Sequence, residues 1–393
     1  MDRITGFGPV GGGSNPPELI QMKVSKSFIS GVSVLVGTCI GAGVLGLPYV
    51  ASRSGFFVAL GYILFLGLFM ILINLCFGEV ALRTRKLHQI PGYAEKYLGK
   101  NAKFLMQFAM IFGCYAAIVA YLLGVGESVS FLVFGNVKYA AFFGAVFGLF
   151  MSSLLWGGLK KLGRYEKFGV GIVMVLFFAI FVTFVGDVQV SNLLTFDSNF
   201  LFLPFGVVLF ALISFHTIPE VEIILKDNKH LMKSVLITSG LVSVFFYVIF
   251  TLVVLGVKGV ETPQVATLAL GTIFVFLGIF TMSTSYLAVG NALQDNLNFD
   301  EKYSRWRAWF LSAVVPILIF LLTQAFDFFS FTRILSIGGV VSGGLTGILI
   351  LFVLVKAKKK GDRKPEYSVY LNKWIIGFLS LIFILGLATE FLH

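Results

Sequence analysis

Two short segments of the chain carry the residues that could do chemistry. The first is Gly37-Thr38-Cys39-Ile40-Gly41-Ala42-Gly43-Val44-Leu45-Gly46-Leu47-Pro48, with four glycines within ten residues and then a proline, all inside an apolar run. The second is Phe210-Ala211-Leu212-Ile213-Ser214-Phe215-His216-Thr217-Ile218-Pro219, which places Ser, His and Pro in the middle of another. Glycine and proline in these positions unwind a helix and leave backbone N–H and C=O groups without intrahelical partners. In an apolar medium such groups are tolerated only where they line a cavity or bind something. The amides around Gly41, Ala42 and Gly43, with Thr38 beside them, would open a new half-helix and suit a carboxylate. The carbonyls of Phe210, Ala211 and Ile213, with Ser214 and His216 at the same break, would accept from an ammonium group. Anion donors beside cation acceptors suit a zwitterion, and amino acids are the obvious class.

Ionisable residues within apolar runs are functional candidates by default. His216 at the second break would either contact a substrate or carry a proton, or else cap freed backbone groups. Glu127 and Glu220 are the remaining proton-coupling candidates, Glu127 near the end of one apolar run and Glu220 just after Pro219. Glu79 and Asp295 lie near helix ends, where an ion pair or gate is the simpler role. Thr281, Thr284 and Ser285 fall on one face of a helix, so a carbonyl and two hydroxyls there could converge on a small hard cation. The alternative is that these hydroxyls bond their own backbone. Tyr121, followed by Leu-Leu-Gly-Val-Gly, is the better of two tyrosines for a pocket wall, the other being Tyr115. The Gly338-Gly339-Val340-Val341-Ser342-Gly343-Gly344 run lacks any phosphate-loop context and reads as close helix packing. Neither a zinc signature nor a nucleophile elbow stands out, and the scattered carboxylates form no enzyme site.

The elements that must hold these residues are membrane helices. Of 393 residues, 58% are hydrophobic and 12% charged, against about 25% charged in ordinary soluble domains. The mean hydropathy is +0.94. Apolar stretches long enough to span occur at about 27–52, 55–82, 104–133, 139–157, 168–187, 203–225, 234–257, 265–294, 308–326, 333–355 and 374–391, eleven in all, each near the roughly 20 residues a spanning helix needs. This is an all-α polytopic membrane protein, and soluble-enzyme, secreted and nucleic-acid-binding readings are excluded; its partners are the lipid bilayer and a small substrate. Cys39, Cys76 and Cys114 lie in apolar runs and indicate no disulfide framework. Residues 1–26 are polar and Gly/Pro-rich and read as a disordered cytoplasmic tail, followed by one transporter domain over 27–393.

Placing the N-terminus inside puts 26 of the 30 Lys and Arg in the tail and the inward loops, so the net charge of +11 is a topology signal. The C-terminus then falls outside the cell membrane. Eleven spans divide as five, five and one: a first repeat over 27–187, a second over 203–355 and an extra helix at 374–391. The two interrupted helices are the first of each repeat. An odd number of spans per repeat makes the two antiparallel, and paired broken helices at matching positions point to an inverted-repeat transporter site.

Ile40-Gly41-Ala42-Gly43-Val44-Leu45-Gly46-Leu47-Pro48-Tyr49 resembles the helix 1 motif of the amino acid/auxin permease family, within the amino acid–polyamine–organocation superfamily. Ser214-Phe215-His216-Thr217-Ile218-Pro219 is similar to the helix 6 segment of the same group. Thr284-Ser285-Tyr286-Leu287-Ala288-Val289, with Asp295 ten residues after Ser285, resembles helix 8 of the bacterial hydroxy/aromatic amino acid permeases. The resemblance implies a LeuT-like fold of ten core helices and one peripheral helix. It implies cation-coupled symport of a neutral, aromatic or large apolar amino acid by alternating access. It also implies that Gly37 and Ile40 offer carbonyls to a cation that Thr281, Thr284 and Ser285 complete. No cofactor is implied, and the coupling ion is Na+ or H+. Some proton-coupled relatives fill the cation position with a lysine from helix 5; the matching stretch here, Val173-Met174, has none. An exchanger, or a non-transporting receptor on the same fold, is the alternative. Replacing Gly41 by Val is expected to abolish uptake and leave a folded protein; normal uptake by that variant, measured in vesicles, would contradict the helix 1 assignment.

Overall fold

The computed structural model describes residues 17–157, 171, 175, 178–326 and 328–392, the side chains of 17–25, 299, 300, 391 and 392 excepted. Among these residues every regular element is a helix. They are α1 (Pro17–Cys39), α2 (Ala42–Ser54), α3 (Phe56–Arg83), α4 (Ile90–Leu98), α5 (Lys100–Phe134), α6 (Ala140–Trp156), α7 (Phe178–Asp187), α8 (Pro204–Ala211), α9 (Ile218–Ile224), α10 (Met232–Lys258), α11 (Thr272–Asp295), α12 (Arg305–Ala325), α13 (Phe331–Lys360) and α14 (Lys373–Leu392). Short single-turn helices fill several of the connections. A chain this apolar closes its backbone hydrogen bonds within helices, since lipid offers no partners.

Among the described residues, eight helical stretches are long and apolar enough to cross a bilayer, and the pair α1/α2, bent by 52°, makes a ninth. The fourth expected span is a shorter helix, α6, of 17 residues. Of the fifth, 168–187, the continuous described part is α7, so the Val173-Met174 stretch and the basic 158–167 loop fall outside the described residues. α1 starts at Pro17, inside the stretch that composition assigned to the 1–26 tail. Proline at a first helical position sacrifices no hydrogen bond, and Glu18-Leu19-Ile20-Gln21-Met22-Lys23 are adequate helix formers. Residues 1–16 lie outside the described part.

Both predicted interruptions are present. α1 and α2 are separated at Ile40-Gly41, and α8 gives way to α9 through a single turn at Phe215–Thr217. The second break needs no glycine, because Pro219 has no amide to continue the ladder and sits at the start of α9. α10 lies along α3 and α1, α2 packs on α8, and α5 runs between α6, α11 and α13.

The glycine run of α13 is a packing surface. Gly339–Gly344 forms a widened π-type turn, and a Cβ on Gly339 would overlap the Gly206 carbonyl of α8. α14 packs on α13 and closes on its start: Ser336 Oγ donates to Glu390 Oε2 at 2.5 Å, and Arg333 Nη1 lies 3.5 Å from Glu390 Oε1.

At the opposite end, the segment between α13 and α14 crosses the end of α3. Glu79, fully buried, accepts from Arg83 Nε at 2.8 Å, Ser368 Oγ at 3.0 Å and the Val369 amide at 2.6 Å. Lys358 Nζ is 3.8 Å away. Tyr367 donates to the Leu75 carbonyl at 2.7 Å and rests on Gly78. Asp362 accepts from Lys96 and from the Arg85 amide, and the Lys96 hydrogen bond, reinforced by that amide, holds its carboxyl below the usual range. The segment is thus tied down by a buried carboxylate. Glu79→Gln replaces a carboxylate that accepts from three donors by a group that turns an NH2 toward them, and breaking such a buried set costs about 3 kcal/mol or more. Trypsin cleavage after Arg363 in detergent-solubilised protein is expected to accelerate by at least about tenfold.

Candidate functional site

The site is built where α1 ends, α2 begins and the α8/α9 break lies beside them. α1 stops because the Gly41 amide turns back to the Cys39 carbonyl at 2.9 Å instead of reaching Gly37. That releases the Gly37 carbonyl and leaves the first-turn amides of α2, beginning at Ala42 and Gly43, without intrahelical acceptors. Gly41 is covered: a Cβ there would lie 2.9 Å from Tyr121 Oη and 3.2 Å from Ser285 Oγ. Gly41, Tyr121 of α5 and Ser285 of α11 therefore converge on one point. A valine at Gly41 would collide with both hydroxyls.

Gly43 faces the other break. A Cβ on Gly43 would sit 2.5 Å from Ala211 Cα and 3.0 Å from Ala211 N, so the first turn of α2 touches the last turn of α8 backbone to backbone. The carbonyls at that turn are partly spoken for. The Phe210 carbonyl accepts from the Ile213 amide at 3.2 Å, and the Ala211 carbonyl accepts from Tyr247 Oη at 2.6 Å. The Ser214 carbonyl accepts from the Thr217 amide and hydroxyl at 3.2 and 2.9 Å. Of the three carbonyls expected to be free, Ile213's is the one for which no such partner occurs among the described residues, and the others keep a second lone pair. Thr38 Oγ1 donates to Val34 O at 2.9 Å and reaches Thr217 Oγ1 at 3.4 Å. This hydroxyl bridges the two breaks.

Among the wall residues, Phe210 is half-buried under α13, where a Cβ on Gly338 would meet Ala116 Cβ at 2.7 Å and Phe210 Cε2 at 3.1 Å. His216 lies edge-on to Phe215 with ring centroids 4.5 Å apart, and its Nδ1 is buried without a hydrogen-bond partner. Capping of the break falls to Thr217 and Tyr247. Glu220 is on the exposed face of α9. Glu127 is half-buried on α5, one helical turn beyond Gly124, whose Cβ position faces Met282 and Phe331; no hydrogen bond or ion pair holds Glu127 among the described residues. On α11, Thr281 Oγ1 donates to Gly278 O at 3.0 Å and Thr284 Oγ1 to Thr281 O at 2.9 Å. Those two hydroxyls spend their protons on their own helix and present lone pairs, while Ser285 alone of the three reaches Gly41.

Two contributors escaped the sequence reading. Asn74 of α3 donates to Ser214 Oγ at 2.9 Å, buried, with its Oδ1 unpartnered. Tyr247 of α10 donates to both Cys39 O, at 2.8 Å, and Ala211 O. Signals for both were available. Asn74 is an amide in the middle of an otherwise apolar helix. Ser239, Ser243, Tyr247 and Thr251 recur every fourth residue, a buried polar stripe on α10.

Residues 24–390 match the model of the tryptophan/tyrosine permease family. The chain belongs to that family. The permease is 24% identical over 95% of its length to the tryptophan-specific transport protein of Shigella flexneri, covering 96% of that protein. It is 22% identical to glutamine transporter 2 of Aliivibrio fischeri, over 86% of this chain and 91% of that one. The crystal structure of MhsT in complex with L-phenylalanine superposes with a TM-score of 0.68 at 15% identity, covering 93% of this chain and 98% of that one. The fold is therefore LeuT-like, as the helix 1 motif implied, and the permease is a multi-pass membrane transporter of amino acids rather than an enzyme.

The closeness of α2 to α8 gives a controlled test. Gly43→Ala forces backbone apart and should lower stability by about 1–3 kcal/mol, as overpacking does. Gly61→Ala on α3, where a Cβ would meet nothing within 4 Å, should leave stability within about 0.5 kcal/mol. Melting of the two purified variants in detergent, followed by fluorescence, checks both.

Proposed function

We propose that the permease takes up an aromatic amino acid across the inner membrane by cation-coupled alternating access, with its N-terminus in the cytoplasm and its C-terminus outside. The observation that carries this reading is the contact of the α2 first turn with the α8/α9 break, beneath Tyr121 and Ser285. Donors and acceptors for the two ends of a zwitterion lie side by side there. The carboxylate sits on the amides of Ala42 and Gly43, where the dipole of α2 favours negative charge. The ammonium sits on the Ile213 carbonyl and the spare lone pairs of Phe210 and Ala211. Tyr121, Ala116 and Phe210 form an apolar wall for the side chain, and Phe210 offers a ring face to an aromatic one. The tryptophan-specific relative supports the same class.

A cation between α1 and α11 fits the donor set, which is entirely oxygen: the released Gly37 carbonyl, Ile40 O, Thr281 O, and the lone pairs of Thr284 and Ser285. Substrate and cation then both bridge the interrupted helices to α5 and α11, and their joint binding favours the occluded state. Proton coupling through Glu127 is the second reading, supported by its having no ion partner among the described residues. His216 and Glu220 are weaker carriers, the first for want of a hydrogen-bonded relay and the second because it faces outward.

The test is uptake of labelled tryptophan, tyrosine, phenylalanine and glutamine into proteoliposomes under an imposed Na+ gradient or an imposed proton gradient. Accumulation of the aromatic amino acids under Na+ alone, lost in Ser285→Ala, is the expected result. Accumulation under protons alone, lost in Glu127→Gln, establishes the second reading. Binding with no accumulation under either gradient, and no exchange against preloaded substrate, overturns transport in favour of a receptor.

A further inference from the structure

We infer that Tyr247 is a positioning residue: its single hydroxyl proton, shared between the last carbonyls of α1 and α8, is the latch that joins the two repeats at the substrate site and sets how readily α1 swings. α1 and α8 are the leading halves of the two interrupted spans, one from each repeat. Their chain directions are opposed, so they approach the site from opposite faces of the membrane, and each ends there with carbonyls short of helical donors, Cys39 O having the Gly41 amide as its backbone partner. Cys39 O and Ala211 O lie 2.8 and 2.6 Å from the same Tyr247 oxygen. The side chain is fully buried.

A tyrosine hydroxyl has one proton to donate. Two carbonyl oxygens around one donor is an over-subscribed arrangement, in which the proton is divided between them or held by one at a time. At two helix C-termini the partial charges on these oxygens are both negative, so without the proton they repel across a gap the size of a hydroxyl. Tyr247 thus makes closeness of α1 to α8 favourable where bare backbone would make it unfavourable. The pair is also bistable. If α1 swings away at its basic end, Cys39 O leaves and the whole hydrogen bond falls to Ala211 O, so the hydroxyl never loses a partner. The Cys39 carbonyl keeps the Gly41 amide at 2.9 Å, and Ser214 and Ser243 lie beside Cys39 at the break. Ser243 Oγ is buried with no partner, an unspent donor one helical turn from Tyr247 on the same face of α10. Release of α1 therefore costs less than the loss of a buried hydrogen bond, and holding it still requires the phenol.

Alkylation of Cys39 reports the release directly, because Cys39 is buried at the end of α1 and becomes accessible only when α1 moves. The full-length protein with Cys76→Ala and Cys114→Ala, which removes the other two cysteines, is reconstituted and treated with N-ethylmaleimide. Tyr247→Phe is expected to raise the alkylation rate about tenfold, the population shift that corresponds to losing one buried hydrogen bond. It should also lower the Vmax of uptake by a similar factor while KM stays within about threefold, since substrate does not touch the phenol. Incorporation of 3-fluorotyrosine at position 247 preserves the ring and strengthens the donor, and it should slow alkylation instead. Opposite shifts from the two replacements support the latch. An unchanged alkylation rate in both, or equal acceleration by both, overturns it and leaves Tyr247 as packing. If Tyr247→Phe does not fold, the fluorinated protein decides alone, slower alkylation supporting the latch and an unchanged or faster rate overturning it. The inference uses the transport reading only for the uptake arm; failure of all uptake in the parent protein would count against that reading and leave the alkylation result standing.

Discussion

An interrupted helix inside a membrane leaves several backbone groups with nowhere to turn, each costing several kcal/mol if left alone. Everything near the site can be understood as a way of meeting that demand. The α1/α2 break folds the Gly41 amide onto Cys39; the α8/α9 break folds Thr217 onto Ser214. Side chains from neighbouring helices supply what remains: Tyr247 from α10, Asn74 from α3 and Thr38 from α1 itself. The groups still unsatisfied after this, the opening amides of α2 and the Ile213 carbonyl, are the ones a zwitterion can fill. On the proposed reading, substrate recognition uses the backbone groups that the bilayer leaves unsatisfied.

Close approach makes this possible. Backbone amides can share a ligand with backbone carbonyls only if the two helices nearly touch, and Gly43 against Ala211 allows it. The same device recurs at Gly206 and Gly339, which brings α13 down onto α8. Small residues replace the hydrophobic driving force that is missing between helices in lipid. The wall formed by Phe210 and Ala116 follows, because α13 and α5 are drawn in over it.

How much of this was legible in the sequence depends on the range of the interaction. The two breaks were readable because glycine and proline act on their own backbone. Gly41, Tyr121 and Ser285 were singled out separately, and their meeting at one point is set by how α5 and α11 pack, which spacing along one helix does not report. Residues 17–26 were assigned to the tail because composition was weighed over the whole stretch, whereas α1 starts at Pro17, where proline can begin a helix. Of the three helix 6 carbonyls expected to be free, two already have donors, since a local turn and a distant tyrosine compete for them. Tyr247 and Asn74 were passed over because single polar residues were weighed one at a time for charge. The four-residue recurrence on α10 would have exposed Tyr247, as periodicity finds a face even when no member of it is ionisable.

The carboxylate of Glu79 has a further consequence, which concerns the order in which the chain is made. Its hydrogen bonds to Ser368 and Val369 join residues 289 and 290 positions apart. α3 enters the bilayer early, and the rest of the bundle must be synthesised before those partners exist. Arg83, one helical turn along, is available almost at once, and its 2.8 Å contact shelters the charge in the meantime. The arginine is in this sense a temporary chaperone built into the helix. When the segment after α13 finally emerges, it exchanges water and lipid headgroups around Glu79 for its own backbone, and assembly ends by closing over a charge placed at the beginning.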